Sequence, residues 1–430
     1  MQNAQRNFPV LHVAFGIVLC LIRLTMDRTK VFAALATVLA VAAITNRDGL
    51  AHKPITSPYT YSDDVFPIVR DRCGQCHVPG GVAPMSLMTY KDAYPWGESI
   101  RTELIAGHMP PWGVEGGYRN IKNARTLTAK ELNILLTWAT GGNPVGDPER
   151  SLQAVGLTKD WRLGMPDLVI PFPAEFPLPA DVTEKTAEFI LPTGATEAKW
   201  VRAVDVLPGN PAIVRSASVA IRAASSETDS RNALPPEQML ALWVPGETPI
   251  SPGGSAAFRL PARAELVVRT RYKKTWQYER VAMTDRSTVG VYLSSTPPSE
   301  VRALTLEPST GSGEGKASRS NESSVSFGVT TGEDLRAIAL YPDLTLANAT
   351  VQVTTVKPNG SREEIIRFRP QPEWARRYWF EQPIALPRGT RIEVEATADA
   401  PLLPPGSVPV QSKPLDPSAV RLTLDVVAGR

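Results

Sequence analysis

The sequence predicts a multidomain chain, a small all-α domain followed by an all-β sandwich in two halves. Three observations predict it. From Tyr59 to Pro148 the apolar residues recur at helical spacing. From about Trp161 onward they alternate with polar residues, the period of half-buried strands. Proline accounts for 40 of the 430 residues, which suits edge strands, turns and linkers better than long helices.

The helical region reads as three helices. Ser62-Asp63-Asp64 can cap the first, whose apolar face holds Val65, Ile68 and Val69 and which runs straight into Cys73. The second is expected from about Tyr90 to Ala106, with Trp96, Ile100, Leu104 and Ile105 inward. The third opens on a capping box, Thr128-Ala-Lys-Glu131. Leu132, Leu135, Leu136 and Ala139 follow at helical spacing, and Gly141-Gly142 closes it.

In the later chain, Leu266, Val268, Thr270 and Tyr272 share one strand face. Ile392, Val394 and Ala396 share another, and Val420–Val426 is apolar at its even positions. Lys357-Pro-Asn-Gly360 between two short strands is a hairpin signal. Many short strands with Pro/Gly turns read as an antiparallel sandwich. A Ser/Gly-rich stretch from Pro308 to Ser324 reads as separating two halves or as a flexible insertion, and Ala223–Glu237 is a second polar loop. The expected divisions are a leader over 1–51, the helical domain over 58–148, and sandwich halves over 161–307 and 325–430.

The hydrophobic fraction, 43%, is ordinary for a chain with real cores, and a net charge of +3 gives no nucleic-acid footprint. Two apolar runs, about Phe8 to Ile22 and Val31 to Ile44, are each shorter than the roughly 20 residues a spanning helix needs. Met26-Asp-Arg-Thr-Lys30 is a short basic start before the alanine-rich second run. Gly49-Leu50-Ala51 offers a small-residue cleavage site. The expectation is translation from Met26 and an exported, periplasmic body, with the leader either cleaved or kept as a membrane anchor.

The chain has three cysteines, Cys20, Cys73 and Cys76, and four histidines, His12, His52, His77 and His108. Cys73-Gly-Gln-Cys76-His77 is the C-x-x-C-H pattern of c-type haem attachment. Two thiols three residues apart reach the two vinyl groups on one haem edge, and the adjacent His77 lies beneath the iron as proximal ligand. Half of a zinc site would need two more ligands, for which the nearby supply is His108 or a carboxylate. A redox dithiol does not require the directly following histidine. One haem c is therefore expected, held by Cys73, Cys76 and His77.

The candidates for the sixth iron ligand are Met85, Met88, His108 and Met109. Met109 is the choice, because prolines stiffen His108-Met-Pro-Pro-Trp112 and reduce the entropy lost in holding a weak thioether ligand. Met85, after Ala83-Pro84, is the alternative. Trp96, Trp112 and Trp138 are expected to pack around the haem.

The stretch from Tyr61 to Pro148 resembles an exported cytochrome c domain. Its markers are Cys73–His77, Val82-Ala-Pro-Met-Ser-Leu87, Met109-Pro-Pro-Trp112, Trp138 and Gly146-Asp-Pro148. The later chain resembles the copper type II ascorbate-dependent monooxygenase-like double sandwich often fused to that domain. Here the markers include Trp161–Leu168, Lys199-Trp200, Pro208-Gly209-Asn210, Trp243-Val-Pro-Gly246, Thr284–Ser287 and Leu386–Gly389. The resemblance implies a jelly-roll-like double sandwich with two copper sites built from histidines. Arg215-Ser216, Arg271 and Pro342-Asp-Leu-Thr345 stand where those histidines are expected, and no histidine lies beyond residue 108. Arginine has no lone pair to donate and copper needs imidazole or sulfur, so no copper is expected.

These readings converge on an exported mono-haem c-type cytochrome in electron transfer, with a copper-free sandwich as docking or structural module. An unidentified redox protein is its expected partner. The alternatives are a structural haem-bearing subunit of a membrane-associated complex, and a copper-dependent monooxygenase. The sequence shows no Ser/His/Asp set, nucleophilic cysteine or phosphate loop, so no catalytic residue is assigned. Arg215, Arg269, Arg271, Arg376 and Arg377 read either as a docking surface or as solvated strand faces.

Overall fold

The computed structural model describes residues 56–222, 237–252, 256–295, 299–308, 318–321, 323–399 and 414–429. The expected leader, Cys20, nearly all of the polar loop from Ala223 and most of the Ser/Gly-rich stretch lie outside the described residues. Among the described residues no helix is long and apolar enough to cross a membrane.

Four sheets carry most of the mass. The first orders Leu168–Pro171, Thr288–Leu293, Lys199–Leu207, Ala256–Leu260 and Ser299–Glu300, and only the last pairing is parallel. The second orders Glu184–Pro192, Glu265–Lys273, Val214–Arg222 and Glu237–Trp243. The third orders Arg302–Leu306, Leu422–Ala428, Leu335–Pro342 and Tyr378–Leu386. The fourth orders Ser318–Asn321, Ser324–Thr330, Arg391–Ala398, Ala349–Val356 and Arg362–Phe368.

Alternation places the strand faces as expected. Leu266, Val268, Thr270 and Tyr272 are fully buried, as are Ile392, Val394 and Ala396. Each large apolar side chain so buried stabilises the fold by about 1.5–3 kcal/mol. Lys357 to Gly360 turns the Ala349–Val356 strand into Arg362–Phe368, with Gly360 at φ 81° and Lys357 N donating to Ser361 O at 2.9 Å.

Adjacent sheets share apolar cores. One core unites Val204 and Val291 of the first sheet with Val219 and Val268 of the second, and takes in Ile338, Trp379 and Val427 of the third. Another joins Leu340 and Leu424 of the third to Val351 and Val394 of the fourth. Val114 and Ile121, from between the second and third expected helices, belong to this second core.

The expected small all-α cytochrome c domain followed by a double sandwich is therefore corrected. The chain is mostly β, about 15% helical, and its larger sheets stand in a four-bladed, propeller-like arrangement. Thr56–Arg430 is one compact unit. The physical reason lies in residues 112–124, which run along the sheets. Glu115 N donates to Arg367 O at 2.9 Å, Lys122 N to Trp379 O at 2.7 Å, and Arg369 N to Gly113 O at 2.9 Å. These bonds tie the helical segments, which keep an apolar cluster of their own around Tyr61, Leu135 and Trp138, to the sheets as parts of one compact unit. The resemblance to a cytochrome c domain fused to a monooxygenase-like sandwich falls with that correction.

The helical elements nevertheless form where the spacing placed them. Helical turns run through Tyr61–Val65, Phe66–Ile68 and Val69–Cys73, burying Val65, Ile68 and Val69. Thr60 is the N-cap in place of Ser62, whose hydroxyl instead donates to Val145 O at 2.8 Å. The second region is broken into Tyr90–Ala93, Tyr94–Trp96 and Gly97–Ile105, and Ile105 faces solvent. In Ala129–Thr140 both bonds of the capping box form, and Ile134, Leu135, Trp138 and Ala139 are buried. Leu132 and Leu136 are only half-buried.

Candidate functional site

The C-x-x-C-H segment closes a turn at the end of the Val69–Cys73 helical segment. Cys76 N and His77 N both donate to Cys73 O, at 3.1 and 3.0 Å. Cys73, Cys76 and His77 all line one cavity of about 410 Å³. That volume lies in the range of about 300–1,000 Å³ typical of cofactor and ligand pockets.

The His77 ring is oriented by a single bond. Its Nδ1 lies 3.1 Å from the Met85 carbonyl oxygen. A carbonyl can only accept, so Nδ1 carries the proton and Nε2 keeps its lone pair. Burial holds the imidazolium form down, ahead of the opposing Met85 bond, so the ring is neutral. One ring nitrogen donating to a carbonyl is the arrangement that orients metal-ligating histidines.

Both thiols stay protonated. Burial pushes Cys73 up to about 12, with Cys76 adding to the effect. Burial also raises Cys76, against the pull of Arg376, Arg215 and Arg125. With no metal bound, such thiols are sluggish redox nucleophiles, because that role requires the thiolate.

The candidate sixth ligands divide cleanly. Met85 and Met109 line the cavity. Met88 is buried in the helical core away from it. His108 is exposed, with Nδ1 3.0 Å from Glu103 Oε2. Met85 presents its carbonyl to the His77 ring, and Met109 lines the cavity together with Pro110, Pro111 and Trp112. Trp96 and Trp112 are lining residues, but Trp138 is a fully buried core residue whose Nε1 donates to Pro144 O at 3.0 Å.

The sheets supply the other wall. Arg215, Pro245, Trp374 and Arg376 face the cavity beside Arg125 from the loop before the Ala129–Thr140 helix. Arg215 is the extra residue of a bulge, because Val214 pairs with Tyr272 and Ser216 with Arg271. Arg215 and Arg376 are buried, at 9% and 6% exposure. Arg376 donates to Glu247 Oε2 at 2.9 Å. Burial raises the Glu247 carboxyl, while Arg376 and Arg125 pull it down. Arg125, Trp374 and Glu247 are site residues that spacing alone does not mark, since each depends on a distant element.

Of the five arginines read as a docking surface or solvated strand faces, Arg215, Arg376 and Arg377 are buried, while Arg269 and Arg271 lie on a partly solvated strand face. Arg377 is buried and pairs with Asp425 at 2.8 Å. Arg269 is tied to Glu188 and Glu237 of its own sheet, and Arg271 to Glu184 of that sheet and to Glu373. Where the resemblance expected copper ligands, Asp343 Oδ1 accepts from Thr345 N at 2.9 Å and from its hydroxyl at 2.7 Å, a local turn. Among the described residues no group of three or more His, Cys, Asp or Glu is placed to hold a metal ion. The expectation of a metal-binding protein is corrected to that extent, since side chains alone build no such centre.

No family model matches the chain, and no curated protein does. Solved structures give remote likenesses. An allantoicase is 10% identical over 49% of this chain and 75% of its own, with a TM-score of 0.16. The VP2 subviral particle of infectious bursal disease virus is 10% identical over 61% and 71%, with a TM-score of 0.17. The tandem CBM22 domains of Paenibacillus barcinonensis Xyn10C are 8% identical over 56% and 82%, with a TM-score of 0.13. Likenesses this weak carry no argument about function.

Proposed function

We propose that this protein is an exported electron carrier with one covalently attached c-type haem. The observation that carries the reading is the cavity of about 410 Å³, with Cys73, Cys76 and His77 in its wall beside Met85 and Met109. The residues fit the group. Cys73 and Cys76 would hold it as thioethers, each S–H adding across one vinyl double bond with no leaving group. His77 is neutral, with Nε2 free to ligate iron while Met85 O fixes the ring. Met109, which lines the same cavity, would supply the second iron ligand, with Met85 as the alternative. Bound haem supplies one-electron chemistry, and Met/His ligation sets a relatively high potential suited to electron transfer.

The chain's own contribution is orientation and exclusion of water. Ile100, Leu104 and Leu135 line the cavity with apolar surface. The sheets serve as scaffold and docking module for a redox protein partner.

The experiment is expression in a host that attaches haem c, followed by iron and copper content and denaturing gel electrophoresis with haem staining. One iron per chain, with haem retained on the denatured polypeptide, is the expected result. Haem-free protein, or haem released on denaturation, overturns the reading. Stoichiometric copper would mean that unexpected ligands exist and would return a copper enzyme to the front.

A further inference from the structure

Three arginines line the cavity wall with a single carboxylate, Glu247, paired to them. Arg125, Arg215 and Arg376 all line it. Glu247 pairs with Arg376 at 2.9 Å. Among the described residues, neither Arg125 nor Arg215 has a carboxylate within ion-pair distance. Glu373 acts on Arg215 at longer range but is engaged by Lys273 at 2.7 Å and Arg271 at 3.2 Å. Three guanidinium groups against the single Glu247 carboxylate leave an excess of two positive charges. The other charged lining groups are already partnered, Arg72 with Glu131 and Glu103 with His108.

Buried donors on this wall are also unspent. Arg215 Nε, Arg376 Nε and Trp112 Nε1 are buried and have no hydrogen-bond partner. Leaving such groups unpaired is costly, so an arrangement of three points to a ligand that satisfies them. Ring faces hold the planar guanidiniums in place. Arg215 lies 4.9 Å over Trp374, and Arg376 lies 5.4 Å over Trp112. The bulge at Arg215 brings its side chain to the cavity from a strand that otherwise pairs regularly.

We infer that this cationic wall binds the two carboxylates of the haem, so that the sheets hold the cofactor as well as the C-x-x-C-H turn. The inference rests on the proposed haem attachment. Two propionate groups balance the two excess charges and accept from the unpaired Nε and Nε1 donors, and arginine's fork suits carboxylates. Arg215 and Arg376 are then positioning residues that also tune the haem. Their positive charge disfavours the ferric state, which carries one more positive charge than the ferrous state.

The test is a spectroelectrochemical titration of the holoprotein and five variants. Arg215→Gln and Arg376→Gln lower the midpoint potential, Glu247→Gln raises it, and Arg215→Lys stays near wild type. Arg269→Gln, which removes an equal charge outside the cavity, leaves it unmoved. Full haem content with an unchanged potential in both Arg215→Gln and Arg376→Gln overturns the inference. If Arg215→Gln folds without haem while Arg215→Lys loads normally, the requirement for charge stands. Equal loss of haem in both points to packing alone and overturns it. A wild-type potential that shifts saturably with added inorganic phosphate means that a free anion, not the haem, occupies this wall, and also overturns it. Wild-type protein without covalent haem is a separate result, which removes the attachment reading itself.

Discussion

The Nδ1 of His77 lies 3.1 Å from the carbonyl oxygen of Met85, so the residue that offers an alternative thioether already serves the histidine through its backbone. This geometry separates the two methionines. Met109→Ala is expected to abolish the low-spin, methionine-ligated haem spectrum, while Met85→Ala keeps it. Optical and magnetic circular dichroism spectra of the two holoproteins check this, and the reverse pattern would reassign the ligand to Met85.

Gly246 couples the sheets to the C-x-x-C-H turn. It sits at φ 75°, and a Cβ there would clash with the side chain of Gln75, between the two cysteines. Gly246→Ala therefore strains the backbone and displaces Gln75, at a cost of about 1–3 kcal/mol. The expected outcome is reduced haem attachment at unchanged expression, read by haem stain per unit of protein. Full attachment and wild-type stability together would show that the turn does not depend on this contact.

Arg377 and Asp425 are 3% and 2% exposed and 2.8 Å apart, beneath the rings of Phe258, Tyr341 and Trp379. Removing one charge strands the other, so Asp425→Ala is expected to cost about 3–5 kcal/mol in denaturant unfolding. A loss under 1 kcal/mol would mean that Arg377 finds compensation elsewhere.

The same carboxyl gives a pH dependence. Burial pushes Asp425 up to about 6, against the pull of Arg377. An unfolded aspartate titrates near about 3.9, so between roughly pH 4 and pH 6 the folded state holds a proton that the unfolded state has lost. Stability from this group is therefore greatest below the unfolded pKa and declines as pH rises through the folded one. Relative to Asp425→Asn, the wild type is expected to lose on the order of 2–3 kcal/mol from pH 4 to pH 7. A constant difference between the two proteins across that range would refute it.

The capping box is a local test. Thr128 Oγ1 accepts from Glu131 N at 3.1 Å, and Glu131 Oε2 accepts from Thr128 N at 2.7 Å. Thr128→Ala should cost about 1 kcal/mol in equilibrium unfolding. Glu131→Ala should cost more, because Glu131 also pairs with Arg72 at 3.0 Å. Equal losses would mean that the Arg72 pair contributes nothing.

Features that depend on near neighbours are legible in the sequence. The capping box, the Lys357–Gly360 turn and the strand faces around Leu266–Tyr272 and Ile392–Ala396 all follow from spacing within about ten residues. The C-x-x-C-H turn is local too, since Cys73 O receives both following amides. Tertiary structure decided what depends on remote partners. Residues 112–124 carry no strong strand signal, yet the edges of the sheets capture their backbone and merge the helical segments into one unit. Whether Arg215 or Arg376 faces solvent cannot be read from alternation, because a bulge and a loop aim them inward from positions 161 residues apart in the chain. Spacing records the period of a strand or helix, but only packing decides which distant element closes over it.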